Sequence, residues 1–309
     1  MPFVLVVGSI NMDLVVRAPV IPRPGQNVFG EDLRIVPGGK GANQAVGIAR
    51  LGYGALLSGR VGEDSFGHGL LQNLQENQVD ISHIERDAQA STGVAIITID
   101  ATGENSIVIA TGANGRFSME SAGGLRSAIA DADLVLLQLE LPPGPVAEVI
   151  DMARGMGKPV ILDAGPPCKA PLPSFFSVTV LTPNREEAEA LTGQSIRDME
   201  STREVGRCLL GKGPEAVILK LGGEGALLFT VDKERCFPAH EVDVVDTTGA
   251  GDAFTAALAV ALAEKEGYEE AVEFANAAGA LAVTKLGAQS ALPTREELER
   301  FLSCRRERA

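Results

Sequence analysis

The sequence predicts an α/β protein, a three-layer α/β/α domain with a central, mostly parallel sheet and a small β-sheet lid. Three observations predict it. From residue 125 onward, short apolar runs alternate with amphipathic helical patterns, as happens when helices cover both faces of a parallel sheet. Two extended stretches, near residues 13–38 and 94–111, fall outside that rhythm. Glycine is abundant, 35 residues in 309, which suits tight turns and close backbone approach to a ligand.

The elements follow in order. Residues 3–7 are an apolar run read as a buried strand, followed by Gly8-Ser-Ile-Asn-Met-Asp13 and an extended region holding Pro19, Pro22, Pro24 and Gly25. After Gly38-Gly-Lys-Gly41 the spacing of Ala45, Val46, Ile48, Ala49 and Leu51 is helical, until Gly52 ends it. Residues 94–99 and 106–110 flank a turn-rich connector and predict a β-hairpin. Buried strands are expected at 134–139, 160–163, 178–182 and 216–221, separated by helices at 145–156, 186–191 and 201–210. Three successive helices, 251–263, 269–283 and 295–302, close the chain. The expected core is therefore 1–12, 39–93 and 112–309. The expected lid, 13–38 and 94–111, lies across the carboxyl ends of the main sheet, where open α/β folds bind ligands.

Composition narrows the function. Twenty-seven Lys and Arg against 41 Asp and Glu leave a net charge of −14, which offers nucleic acid or an anionic membrane no electrostatic footprint. An anionic ligand must then be held by a local device. Cys168, Cys208, Cys236 and Cys304 form no CxxC pair and read as reduced thiols. The first apolar run is short and has no basic flank, so it reads as a strand and not as a signal peptide. No apolar stretch approaches the about 18 residues of a membrane span, and a cytoplasmic protein is the expectation.

Several short motifs carry chemistry. In Asp246-Thr-Thr-Gly-Ala-Gly-Asp252, Gly249, Ala250 and Gly251 leave backbone N–H groups uncovered at a helix N-terminus, an arrangement that collects negative charge. Asp252 in the same turn is either a helix cap or a base for a hydroxyl beside an anion hole. Asp246 is either a satisfied loop carboxylate or part of a cation site. Pro37-Gly-Gly-Lys-Gly-Ala-Asn-Gln-Ala45 is not a P-loop, because Gly41 follows Lys40 where Ser or Thr is required. Its glycines let the backbone approach a ligand, with Lys40 and Asn43 pointing into the site. Asn11 and Asp13 face one side of an extended segment and suit vicinal hydroxyls, or else form a turn. Glu140 ends a strand at its carboxyl end. Asn184 and Glu187 have capping-box spacing, and alternatively organise Mg²⁺ through water near phosphates.

In this order the motifs resemble the ribokinase-like (PfkB) carbohydrate kinases, over essentially the whole chain. The pairing of Asn11-x-Asp13 with Gly38-Gly-Lys-Gly-Ala-Asn43, together with Gly287-Ala-Gln289, looks most like the members that act on ribose. The resemblance implies ATP-dependent phosphorylation of D-ribose at O5, with related kinases of nucleosides, fructose or 2-deoxyribose, or a silent binder on the same fold, as alternatives. It implies Asp252 as base, Gly249, Ala250 and Gly251 as anion hole, and Asn11, Asp13, Gly39, Lys40, Asn43 and Glu140 as sugar ligands. ATP would lie along Asn184, Lys220, Gly222, Gly251 and Asn276. A monovalent cation, K⁺, would sit near Asp246, Thr248, Ala282, Gly287 and Ser290, and the lid would form a homodimer contact. Two positions depart from the family pattern. Lys220 stands where a small hydroxyl residue is usual, and Asp163-Ala-Gly-Pro-Pro167 replaces an Asn-Pro-Ala-Pro-like stretch.

Overall fold

A computed structural model describes residues 2–306, so Met1 and residues 307–309 of the expected core lie outside the described residues. The chain runs through β1 (Phe3–Val7), β2 (Asn11–Arg17), β3 (Leu33–Gly38), α1 (Lys40–Arg50), β4 (Gly54–Gly62), α2 (Ser65–Glu76), β5 (Asp80–Asp87), β6 (Gly93–Ile99) and β7 (Asn105–Ala110). It continues with α3 (Met119–Gly123), α4 (Arg126–Asp131), β8 (Leu134–Leu137), α5 (Pro143–Gly155), β9 (Val160–Asp163), β10 (Val180–Thr182), α6 (Arg185–Thr192) and α7 (Met199–Leu210). Then come β11 (Ala216–Lys220), β12 (Ala226–Thr230), β13 (Glu234–Phe237), α8 (Ala250–Ala263), α9 (Tyr268–Ala282) and α10 (Arg295–Arg306).

Nine strands make the main sheet, in the order β13-β12-β11-β10-β9-β8-β1-β4-β5. From β5 to β11 every neighbouring pair is parallel. β12 and β13 add two antiparallel strands at one edge. Because strand side chains alternate, Val4 and Val6 of β1 pack on one side with α1, α8 and α9. Leu5 and Val7 pack on the other with α5, α6 and α7. All four are fully buried, each contributing about 1.5–3 kcal/mol of apolar burial. These are the three layers expected from the alternating pattern.

The helices expected from the 3.6-residue period are found, with ends displaced by a turn or less. The structure adds β4, α2, β5, α3, α4, β12 and β13, which the apolar pattern does not single out. In β4 the run is interrupted by Ser58-Gly-Arg60, which breaks the continuous apolar signature of a buried strand. A second sheet of four strands, β3-β2-β6-β7, is built from the two extended stretches. Its β2–β6 pair is parallel and its other two pairs are antiparallel. Its first strand begins at Asn11, directly after the carboxyl end of β1. Among the described residues no helix is long and apolar enough to cross a membrane.

Candidate active site

The strand order decides which distant residues meet. From β1 the chain moves to β4 and β5 on one side, and later to β8 through β11 on the other, so the topology reverses between β1 and β8. Crevices of this kind, at the carboxyl ends of parallel strands, are where open α/β sheets bind ligands. Adjacent strands there bring Gly8–Asn11, Glu140, Asp163, Asn184 and Lys220 into one row. Helices α1 and α8 begin above it.

Asp252 sits in the first turn of α8 and is buried. It does not cap the helix: the N-cap is Gly249, whose φ of 77° is left-handed, and no side chain caps it. The Asp252 carboxylate instead accepts from Asn43 Nδ2 at 2.9 Å and from Gln44 Nε2 at 3.0 Å. Lys40 Nζ lies 4.0 Å from Asp252 Oδ1. Lys40, Asn43 and Gln44 share a face of α1 because they are three and four residues apart. Gly39 admits this approach. Its φ is 88°, and a β-carbon there would stand 2.7 Å from the Asn11 backbone nitrogen, so only glycine fits without strain.

Asn11 and Asp13 lie in strand β2 and not in a turn. Asn11 is buried, and Asn114 holds it: Asn114 Nδ2 donates to Asn11 Oδ1 at 2.7 Å and to the Ile10 carbonyl, while its Oδ1 accepts from the Ile10 N–H. Burial first, and then the negative charges of Glu140 and Asp252, raise the Asp13 carboxyl to about 7. Burial likewise raises Glu140, against the pull of Lys40 and of a short hydrogen bond donated by Ser9. Burial opposes the charge of Lys40, yet Asp252, Asp163, Glu140 and Glu187 outweigh it and push its pKa well up. Lys40 therefore stays an ammonium.

Asn184 and Glu187 form the capping box of α6: Asn184 Oδ1 accepts from the Glu187 N–H and Glu187 Oε2 from the Asn184 N–H. Glu187 Oε1 remains outside that box and faces Gly165 beside Lys40. Lys220 ends β11 next to Asn184, with Gly222 in the turn that follows. Asn276 stands apart from the base. It donates to the Pro238 carbonyl at 2.7 Å and lines a cavity of about 530 Å³ with Phe237, His240 and Phe274. One turn further along α9, Gly279 touches the start of α8.

Asp246 accepts from the N–H and hydroxyl of Thr248 and, through its other oxygen, from the Gly287 N–H. Burial works against its ionisation, but these donors prevail and hold its pKa below the ordinary range. The Val283 carbonyl accepts from Val245 and Asp246, and Ser290 donates to the Leu286 carbonyl. Thr248, Gly287 and Ser290 thus share one oxygen-rich loop pair beside α8, whereas Ala282 is the last residue of α9 and its carbonyl accepts from the Lys285 N–H. Among the described residues no three His, Cys, Asp or Glu side chains gather as metal ligands.

Three participants, Gln44, Asp163 and Asn114, have no role assigned from the sequence. Gln44 was within the quoted glycine motif, and its place four residues after Lys40 is the one local signal for it. Asp163 is fully buried and accepts from Gln44 Nε2 at 2.8 Å and Lys220 Nζ at 2.7 Å. Asn114 gave no signal before the fold was known.

The family described as pfkB family carbohydrate kinase matches residues 1–295. The ribokinase of Bacillus subtilis is 40% identical over 300 residues, spanning 97% of this chain and 99% of its own. That of Haemophilus influenzae is 37% identical over 297 residues, spanning 96% and 97%. Among solved structures, Arabidopsis thaliana ribokinase complexed with ribose and ATP superposes with a TM-score of 0.88 at 33% identity, covering 97% of this chain and 98% of that one. The chain belongs to the pfkB family of carbohydrate kinases.

Proposed function

We propose that this protein transfers the terminal phosphoryl group of ATP to O5 of D-ribose, with Asp252 as the base. The observation that carries the reading is the buried Asp252 carboxylate at the N-terminus of α8, oriented by Asn43 and Gln44. The likeness to ribokinases, one of them bound to ribose and ATP, supports the substrates. In this mechanism Asp252 takes the proton as the sugar oxygen forms its bond to phosphorus and ADP departs. The amides of Gly249 and Gly251 face the charge on the transferring group, where oriented donors in a water-poor site act most strongly, while that of Ala250 is given to the Thr247 carbonyl at 3.3 Å.

Asn11, Asp13, Gly39, Lys40, Asn43 and Glu140 would hold the sugar. Asn43 Oδ1 supports this, because it is buried without a hydrogen-bond partner, and a sugar hydroxyl supplies the missing donor. The nucleotide would follow Asn184, Lys220, Gly222 and Gly251 toward Asn276. Mg²⁺ fits as a companion of the nucleotide, held through water near Asn184 and Glu187, where it neutralises phosphate charge. A monovalent cation, K⁺, fits the oxygens of the Asp246–Thr248 and 282–290 loops, next to the anion hole. The segments 13–38 and 94–111 would close over the sugar and exclude water that would otherwise hydrolyse ATP.

The test is ADP release from Mg-ATP across ribose, 2-deoxyribose, fructose and nucleosides, in K⁺ and in Na⁺. Ribose-dependent turnover raised by K⁺ is expected. In Asp252→Asn turnover falls by about 10³-fold or more, while ATP affinity stays within a few-fold. Undiminished turnover in that variant removes Asp252 as base. A preference for another acceptor moves the substrate assignment and keeps the mechanism.

A further inference from the structure

The carboxyl ends of β9 and β11 are joined by a charge pair. Lys220, at the end of β11, and Asp163, at the end of β9, are separated only by β10 in the sheet. Their Nζ and Oδ1 atoms are 2.7 Å apart, with Asp163 fully buried and the Lys220 side chain only 12% exposed. A charge pair taken this far out of water is retained only where its geometry and hydrogen bonds are good. Here they are good on the Asp163 side. Asp163 Oδ2 accepts from Gln44 Nε2, and Thr255 Oγ1 lies at 3.4 Å. Burial disfavours the Asp163 charge, but the ammonium groups of Lys220 and Lys40 outweigh it and hold the carboxyl below the ordinary range.

The Lys220 side is incomplete. An ammonium carries three donors, and Asp163 takes one. The other two meet no acceptor among the described residues. They open toward the start of α8: a β-carbon on Gly251 would stand 4.0 Å from Lys220 Nζ, with nothing else within that distance. The helix N-terminus is thus extended by a cation held in place from behind. The frame is shared with the base, because Gln44 gives one N–H to Asp163 and the other to Asp252, and its Oε1 accepts from Gln138 Nε2.

The charge balance says what the free donors are for. Asp13, Glu140, Asp163, Glu187 and Asp252 converge on the crevice, with Lys40 and Lys220 as counter-cations among the described residues. A polyphosphate entering such a site meets repulsion that a neutral hydroxyl at position 220 does nothing to offset, whereas an ammonium offsets it directly. Lys40 Nζ lies 4.0 Å from Asp252, in a field shared with Asp163, Glu140 and Glu187. Lys220 has one partner and two donors to give.

We infer that Asp163 and Lys220 form a phosphate clamp, in which Asp163 positions the ammonium and Lys220 donates to the terminal phosphoryl group of the nucleotide at the mouth of α8. The inference rests on the reading of α8 as the phosphoryl site. It predicts selectivity for a nucleoside triphosphate over the diphosphate, which a merely structural ion pair does not supply.

Titration calorimetry with Mg²⁺ and ribose, using ADP and the non-hydrolysable analogue AMP-PNP, tests it. Lys220→Met is expected to weaken AMP-PNP by about tenfold or more, and ADP by less than about threefold. Lys220→Arg, which keeps charge and donors, retains most of the AMP-PNP affinity. Because Lys220→Met strands a buried carboxylate, the double variant Asp163→Leu/Lys220→Met is measured beside it. Both charges are then gone, and the same selective loss is expected in a folded protein. Equal loss for both nucleotides, or AMP-PNP affinity unchanged in the double variant, overturns the clamp. Wild-type protein that binds neither nucleotide overturns the phosphoryl site itself, whereas wild-type binding with unselective loss in the variants overturns only the role of Lys220.

Discussion

At the scale of single residues, the site is organised by carboxyls held at different protonation levels. Asp13 stands out, because burial and its neighbours Glu140 and Asp252 raise it from 3.8 to about 7. The folded chain therefore keeps a proton that the unfolded chain releases. The stability tied to this group is fully present below about pH 3.8 and is lost as pH rises through about 7. Sugar binding runs the opposite way, since hydroxyl donors favour the ionised carboxylate. The KM for ribose is expected to rise as pH falls from 7.5 to 5.5. In Asp13→Asn it is about tenfold higher or more, with that pH dependence flattened and the ATP KM little changed. Steady-state kinetics over this range checks it, and an unaltered pH profile in the variant removes Asp13 from the sugar.

At the scale of elements, the start of α8 is the most demanding piece of backbone. Its N-cap, Gly249, has a φ of 77°, and a β-carbon there would come within 3.0 Å of the Ala288 Cα. The neighbour is backbone in the loop that also carries Gly287, so neither side gives way cheaply. Gly249→Ala is expected to cost about 1–3 kcal/mol, read as a lower urea midpoint. Turnover falls with it, because displacing the first turn of α8 moves Asp252 away from Asn43 and Gln44. A variant with wild-type stability and turnover would show that this turn tolerates a side chain.

At the scale of the whole molecule, two sheets divide the work. The nine-stranded sheet ends in Glu140, Asp163, Asn184 and Lys220 beneath the start of α8, and the four-stranded sheet brings Asn11 and Asp13 across its edge. The register of the small sheet aligns Ile35, Leu14, Ile96 and Val108 in one row, each directly opposite the next. Asn11 and Asp13 belong to the other face of β2. Ile35, Ile96 and Val108 are about half or more exposed, a contiguous apolar surface of the kind that marks association. Such a surface suits the homodimer through the lid that the family resemblance implies. Ile96→Asp is expected to shift the protein from dimer to monomer in sedimentation velocity at micromolar concentration. A wild-type protein that sediments as a monomer removes the dimer.

What the sequence by itself determined is local: the alternating strands and helices, the glycine turns at Gly39 and Gly249–Gly251, and Asp252 in the turn that opens a helix. Each is written in contiguous residues, where periodicity and turn chemistry are legible. The β12–β13 edge and β4 were not legible, because a short or interrupted apolar run looks alike in many settings. Only the tertiary structure decided whether Asp252 caps its helix or is held by Asn43 and Gln44 from more than 200 positions away. It also decided that Lys220 and Asp163, 57 positions apart, form one pair. The reason is physical. A residue's type sets which partners it accepts, but the order of parallel strands in the sheet sets which partner arrives.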